Sequence, residues 1–281
     1  MANIHPTAVV DPQADLAEEV EVGPLCYVGP QVVIGPGTRL VSHVVVLGLT
    51  ILGRDNTVWP NVVLGGDPQD LKYKSGPTQL IIGDANDIRE SVTIHKGTEN
   101  DQGVTRVGNH NLVMAYVHIA HDCVIGDRVV LANSVALAGH VVVEDHAAVG
   151  GQSGVHHFVT IGQYGYVGGM TRIVQDTPPF MVVEGNPAKV RQPNLIGLAR
   201  HGFSNENIDH LKDAYRRLFR NSANGEGVGQ TAEMLVQLEQ DYADDEHIIS
   251  LIQFMRNTTN GMHGRYRETL RHDNRRKAVS K

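Results

Sequence analysis

The chain has 281 residues, enough for a sizeable core, with 30 glycines against a single tryptophan and a formal net charge of −7 at pH 7. The acidic balance argues against bulk nucleic-acid binding. No apolar run reaches the roughly 20 residues of a membrane span, and the opening Met1-Ala2-Asn3-Ile4-His5-Pro6 has neither a charged n-region nor an apolar h-region, so a cytoplasmic protein is expected.

From the N-terminus an aliphatic residue falls on every sixth position: Ile4, Val10, Leu16, Val22, Val28, Ile34, Leu40, Val46, Leu52, Val58 and Leu64. The ladder resumes at Ile82, Ile88 and Ile94, and runs unbroken from Val107 through Val113, Ile119, Ile125, Leu131, Leu137, Val143, Val149, Val155, Ile161 and Val167 to Ile173. A period of six would scatter around an α-helix but lands on one side of an extended segment, because six divides by two and not by 3.6. The pattern therefore predicts a solenoid of short strands and tight turns. Two residues before the rungs stand small side chains, Ala8, Ala14, Cys26, Thr38, Cys123, Ala147 and Ser153, as expected at an inward corner. Cys26 and Cys123 thus read as packing residues, not as a disulfide or a nucleophile.

Two interruptions, over 65–81 and 95–106, are expected to leave the solenoid as loops, and loops on a rigid scaffold are where binding groups tend to sit. Near Val183 the hexads stop. Pro178, Pro179, Pro187 and Pro193 mark the change, and three helical stripes follow: Ile208, Leu211, Tyr215, Leu218 and Phe219 after a Ser204 cap; Met234, Leu235, Leu238 and Tyr242 after a Thr231 cap; and Ile248, Ile249, Ile252 and Met255. The expected organisation is a β-helix over 1–186, a helical domain over 187–263, and a basic tail over 264–281 that lacks an apolar period and is expected to be disordered.

Rungs Ile119, Leu137 and Val155 are 18 apart, so they stack if three hexads close one coil. His118, His121, His140 and His156 lie within three residues of those rungs, which gathers four imidazoles around one face or edge. Such a group could bind zinc or supply a general base near neutral pH, and spacing alone leaves both open. Asp122 beside His121 could orient the ring, although neighbours on a strand point to opposite faces. Lys72, in the first loop, would suit an acceptor carrying phosphate or a sugar hydroxyl.

The segments Asn61 to Gly66, Gln69-Asp70-Leu71-Lys72-Tyr73, Ile88 to Thr98, His118-Ile119-Ala120-His121-Asp122-Cys123, Leu131-Ala132-Asn133, Leu137-Ala138-Gly139-His140-Val141 and Gln175-Asp176-Thr177-Pro178-Pro179 resemble the UDP-N-acetylglucosamine O-acyltransferases that begin lipid A synthesis, a hexapeptide-repeat family. The likeness extends to about Arg220. It implies a mainly β fold, a left-handed parallel β-helix followed by a C-terminal α-helical domain, assembled as a homotrimer with active sites between subunits. It also implies transfer of a 3-hydroxyacyl chain from acyl carrier protein to the 3-hydroxyl of UDP-N-acetylglucosamine, without a cofactor.

By the same resemblance His121 is the general base, Asp122 its support and the Gly139 N–H an oxyanion donor. Asp70, Lys72, His118, His140 and His156 match positions lining the acceptor and thioester site. Asn194 and Arg200 match nucleotide contacts, and Gly169 matches the residue limiting the acyl pocket. The chain departs from the family at His201 and Ile196, where Arg and Glu are usual, and at His157, where Gln is usual. Lys189, Arg191, Arg216, Arg217 and Arg220 could steer the acidic carrier. The alternatives are a zinc hydratase of the γ carbonic anhydrase type, a sister N-acyltransferase acting on an amino sugar, and a non-catalytic scaffold. The long helical C-terminus and the Lys72 loop favour a carrier-dependent transferase.

Overall fold

The hexad ladder folds into a three-sided parallel β-helix. A computed structural model describes residues 1–220 and 228–271. Its strands, most of them two residues long, stack into sheets of eleven, nine and eight strands, and consecutive strands go to consecutive sheets. In register, Thr93, His118, Ala136 and Gly154 lie one above another, as do Ile94, Ile119, Leu137 and Val155. The rungs fill the prism. From Val22 onward they are essentially inaccessible to water, whereas Ile4 in the first coil is exposed because no coil lies beneath it.

The positions two before the rungs are buried too, but they are not all small. Thr38, Asn56, Asn86 and Asn111 form a polar column there: Asn56 Nδ2 donates to the Gly83 carbonyl, Asn86 Nδ2 to Asn56 Oδ1 and to the Gly108 carbonyl, and the Asn111 backbone N–H to Asn86 Oδ1. Each side-chain oxygen of the three asparagines accepts from the coil above, and only Asn111 Nδ2, at the end of the column, is left without a partner among the described residues. Cys26 and Cys123 are buried free thiols, and burial pushes the Cys123 thiol up to about 12.

Corners are turned by residues in the left-handed region, mostly not glycine. Asp122, His140 and Phe158 occupy one corner on successive coils, at φ of +58°, +65° and +63°. This corner, between the nine- and the eight-stranded sheets, also emits both loops: strand Val63–Gly66 leads through 67–78 to Gln79–Ile82, and Thr93–His95 leads through 96–103 to Val104–Val107. The excursions are thus shorter than 65–81 and 95–106, since the ladder re-forms at Gln79 and at Val104.

The prism ends in strand Met181–Glu184, which pairs in parallel with Tyr166–Val167 and antiparallel with Lys189–Pro193. The region after 186 therefore opens with a strand, and helix starts only at α1, Leu195–Arg200. Helix α2, Asn205–Tyr215, is capped by Ser204, whose Oγ accepts from the Asn207 N–H, and continues as a π turn over Arg216–Arg220. Helix α3 runs Val228–Asp241, so its backbone is already helical three residues before Thr231, which is not its cap. Helix α4, Glu246–Asn260, is capped by Asp245. Leu211, Ala214, Leu218, Leu235, Leu238, Ile248, Leu251 and Ile252 bury together over Phe180 and Met181 at the prism end.

The tail expected to be disordered from 264 is instead ordered through Arg271, with a short helix α5, Tyr266–Thr269. It is held by polar contacts that leave no apolar period: Arg265 pairs with Glu268 at 2.5 Å, both buried, and donates to the Val174 carbonyl. The rest of that expectation, 272–281, lies outside the described residues.

Candidate active site

At this corner His121 and Asp122 face each other although they are sequence neighbours. A left-handed turn at Asp122 replaces the strand geometry that would point them apart, and His121 Nδ1 lies 2.8 Å from Asp122 Oδ2. Asp122 is also held from the second loop. The Thr98 N–H donates to Oδ1 at 2.9 Å and the Thr98 hydroxyl to Oδ2 at 2.6 Å, while the Asp122 N–H donates to Thr105 Oγ1. A carboxylate only accepts, so the ring proton sits on Nδ1 and the lone pair of neutral His121 on Nε2.

His121 lies close against Gly139 one coil above. A Cβ placed on Gly139 would be 2.5 Å from His121 Cε1 and 2.7 Å from Nε2, so only glycine fits under the ring. Among the described residues the Gly139 N–H donates to no backbone carbonyl. His140 meets His121 edge-on, with centroids 5.1 Å apart, and stacks on Phe158 at 4.3 Å. Its Nδ1 is 2.8 Å from Asp101 Oδ2, and this hydrogen bond, more than the burial that opposes it, holds the Asp101 carboxyl below its usual range.

Around them opens a cleft of about 520 Å³, lined by Asp70 and Lys72 from the first loop, Asp101 from the second, His121, Gly139 and His140 from the corner, and Arg267 and Arg271 from the tail. Each loop braces the other: Lys96 reaches Asp67 at 2.9 Å, and Glu99 Oε1 accepts from the Lys74 and Gly76 N–H groups. Asp70 Oδ1 accepts from the Lys72 N–H.

The remaining predicted residues do not line this cleft. His118 lies behind His121, its Nδ1 2.7 Å from Thr93 Oγ1 and its ring against His95. His156 Nδ1 donates to the His157 carbonyl, and it is His157 that lines the cleft. Asn194 caps α1, with Oδ1 accepting from the Gly197 N–H and Nδ2 donating to the Tyr164 carbonyl. Arg200 ends α1 on the surface, and Gly169 is exposed at the corner between the eleven- and nine-stranded sheets. His201, where the resembling family has Arg, packs among His146 and Tyr164. Of the basic residues proposed to steer a carrier, Arg191 faces Glu184, and Arg216 and Arg217 face Asp213, so their charge is partly neutralised.

Sequence reasoning missed Thr98, Asp101, Phe158 and the tail arginines. Phe158 alone had a signal, since it stands 18 residues after His140 and 36 after Asp122. His121, Asp122 and His140 also offer ligand atoms within 4.8 Å of one another. Both Asp122 oxygens already accept hydrogen bonds and both Nδ1 atoms face carboxylates, so the group is arranged to orient rings more than to coordinate an ion.

The comparisons with known proteins agree with this architecture. Residues 105–139 match the family model described as bacterial transferase hexapeptide (six repeats), and residues 176–263 match that of Udp N-acetylglucosamine O-acyltransferase, domain 2. Fold and site together define a hexapeptide-repeat acyltransferase, built on a left-handed parallel β-helix. A protein of Verminephrobacter eiseniae named acyl-(acyl-carrier-protein)–UDP-N-acetylglucosamine O-acyltransferase is 50% identical over 245 residues, covering 87% of this chain and 94% of that protein. The chain belongs to the UDP-N-acetylglucosamine O-acyltransferase family. A relative of the same name from Thermodesulfovibrio yellowstonii is 44% identical over 93% of this chain and 99% of its own length. Among solved structures, the UDP-N-acetylglucosamine acyltransferase of Bacteroides fragilis superposes with a TM-score of 0.86 at 36% identity, covering 90% of this chain and 97% of that one.

Proposed function

We propose that the chain catalyses the family's reaction, moving a 3-hydroxyacyl group from acyl carrier protein to the 3-hydroxyl of UDP-N-acetylglucosamine, the first step of lipid A synthesis. The observation that carries the mechanism is the Asp122–His121 pair, which leaves Nε2 of neutral His121 as the proton acceptor. Nε2 takes the hydroxyl proton as the sugar oxygen attacks the thioester carbonyl carbon. The resulting oxyanion accepts from the Gly139 N–H, a contact of the kind worth about 3–4 kcal/mol in transition-state stabilisation. Collapse breaks the C–S bond, the imidazolium returns its proton to the departing thiolate, and ester and free thiol result. Asp122 stabilises the imidazolium in between, and His140, fixed by Asp101 and Phe158, walls the reacting centre.

Lys72 and Asp70 contact the acceptor sugar, and His118 and His156 support the site from behind the cleft-lining imidazoles. In this reading Asn194, Arg200 and Gly169 act in a homotrimer, where they reach the cleft of a neighbouring subunit. Leu25, Tyr116 and Met170 are exposed apolar side chains on a second corner of the prism, several coils apart, and such an assembly would cover them. Two buried free thiols fit a cytoplasmic enzyme. Among the described residues no helix is long and apolar enough to cross a membrane.

The test is to incubate the protein with 3-hydroxyacyl carrier proteins of several chain lengths and UDP-N-acetylglucosamine, and to look for the ester by mass. His121→Ala should lower turnover at least about 10²-fold with the trimer intact. Near-normal turnover would remove His121 from the mechanism.

A further inference from the structure

The family model's match ends at residue 263, but the chain continues into the cleft. Gly264 lies at φ +73°, close against Gln175, and its carbonyl accepts from the Asp176 N–H at 2.8 Å. The Tyr266 N–H donates to Asp176 Oδ2 at 2.8 Å, while Asp176 Oδ1 accepts from the Thr160 N–H. With Arg265 also bonded to the Val174 carbonyl, the segment is fastened to the prism at Gly264, Arg265 and Tyr266, and the Arg265–Glu268 pair closes α5 on itself. From this base it directs Arg267, Leu270 and Arg271 into the cleft that holds His121 and Gly139, with the Arg271 guanidinium 5.2 Å from the centre of the Phe158 ring.

Arg267 stands out among these. Its Nε is buried without a hydrogen-bond partner, and no carboxylate lies within ion-pair distance of it among the described residues. Asp101 and Asp176 act on this guanidinium only through space; a buried Nε–H without an acceptor is costly, and a cleft wall is where a ligand can bring the acceptor in. On the function proposed above, both substrates carry such a group, the nucleotide sugar as a diphosphate and the carrier as the phosphodiester of its prosthetic arm. Arginine's planar donor fork suits phosphate oxygens.

We propose that Gly264–Arg271 forms a wall of the substrate cleft and that Arg267 is a binding contact for a substrate phosphate. Equilibrium binding of UDP-N-acetylglucosamine and of 3-hydroxyacyl carrier protein, each measured by calorimetry on the full chain and on Arg267→Ala, tests this. Loss of a charge-assisted hydrogen bond should weaken one of the two about 10- to 100-fold. The substrate affected identifies the phosphate. Arg267→Lys, which keeps the charge without the fork, should lose less than the alanine variant. Gly264→Val, which forces a side chain onto Gln175 at a left-handed φ, should undock the segment and weaken the same substrate.

Unchanged affinity for both substrates in folded Arg267→Ala overturns the proposal. If that variant does not fold, wild-type affinity for both substrates in Arg267→Lys and in Gly264→Val does so instead. Binding is read without turnover, so a parent chain that makes no ester refutes the proposed reaction while leaving an Arg267-dependent dissociation constant standing.

Discussion

Replacing Asp122 by Asn tests the mechanism at the point where geometry makes the sharpest demand. The carboxylate accepts three hydrogen bonds, from the Thr98 N–H, the Thr98 hydroxyl and His121 Nδ1. An amide cannot do all of this. With its oxygen kept toward the Thr98 N–H, its NH₂ faces His121, donates to Nδ1 and moves the ring proton to Nε2, where it blocks the base. With the amide reversed, NH₂ meets the Thr98 N–H, donor against donor. The charge is lost in either case: an imidazolium and a carboxylate 2.8 Å apart attract by about 6 kcal/mol at an effective dielectric constant near 20. An oriented amide dipole retains part of that, so a barrier increase of about 3–5 kcal/mol is expected, or roughly 10²- to 10⁴-fold in kcat. Initial rates of ester formation at saturating acceptor and carrier measure it, with KM for both substrates near the parent value because Asp122 is buried behind His121. A kcat within about threefold of the parent would refute the orienting role, since neither amide orientation preserves both the tautomer and the charge.

Two further perturbations act on the same imidazoles. Gly139→Ala sets a methyl 2.5 Å from His121 Cε1, so the ring must leave Asp122 or the corner must shift; turnover should fall about 10²-fold with a modest loss of melting temperature, and an unchanged rate would show that the ring has no need of that position. His95 is depressed to about 4 by burial and then by the neighbouring His118 and His121, and its Nδ1 has no partner. Its folded value lies below the ordinary 6.5, so the unfolded chain takes the proton first: the stability it allows is complete above about pH 6.5 and drains as pH falls toward 4. At matched protein concentration, urea unfolding of the parent should lose on the order of 2 kcal/mol more than His95→Phe between pH 7.5 and 5, and parallel pH dependences in the two would remove His95 as the acid-sensitive group.

The prism was legible because its side-chain period is fixed by the backbone, and a slip of one residue would turn every rung outward. The same regularity led to the stacking of His121 under His140. What it hid was the corner. Alternation along a strand places Asp122 away from His121, and nothing in the hexad announces that Asp122 sits at φ +58°. Thr98 and Asp101 were out of reach because no period governs a loop whose path is set by Lys96–Asp67 and by Glu99 accepting from the Lys74 and Gly76 N–H groups. The tail misled for the opposite reason: it docks through main-chain hydrogen bonds and one buried Arg265–Glu268 pair, and absence of an apolar stripe says little about such contacts. The i, i+3 spacing of that pair was its only trace in the sequence.

The corner between the nine- and eight-stranded sheets divides the labour of the site between parts of unequal stiffness. Asp122, His140 and Phe158 hold positions fixed by coil stacking, each in a left-handed conformation that costs a non-glycine residue about 1–2 kcal/mol and that the ladder above and below enforces. The distance between His121 and the Asp122 carboxylate is therefore set by the prism corner together with Thr98 of the second loop. Lys72 and Arg267 come instead from the first loop and the tail, which make none of the hydrogen bonds to Asp122 described above. A consequence is that exchanging the tail or the first loop should alter affinity before it alters the chemical step, whereas a change at the corner column, or at Thr98 in the second loop, should do the reverse.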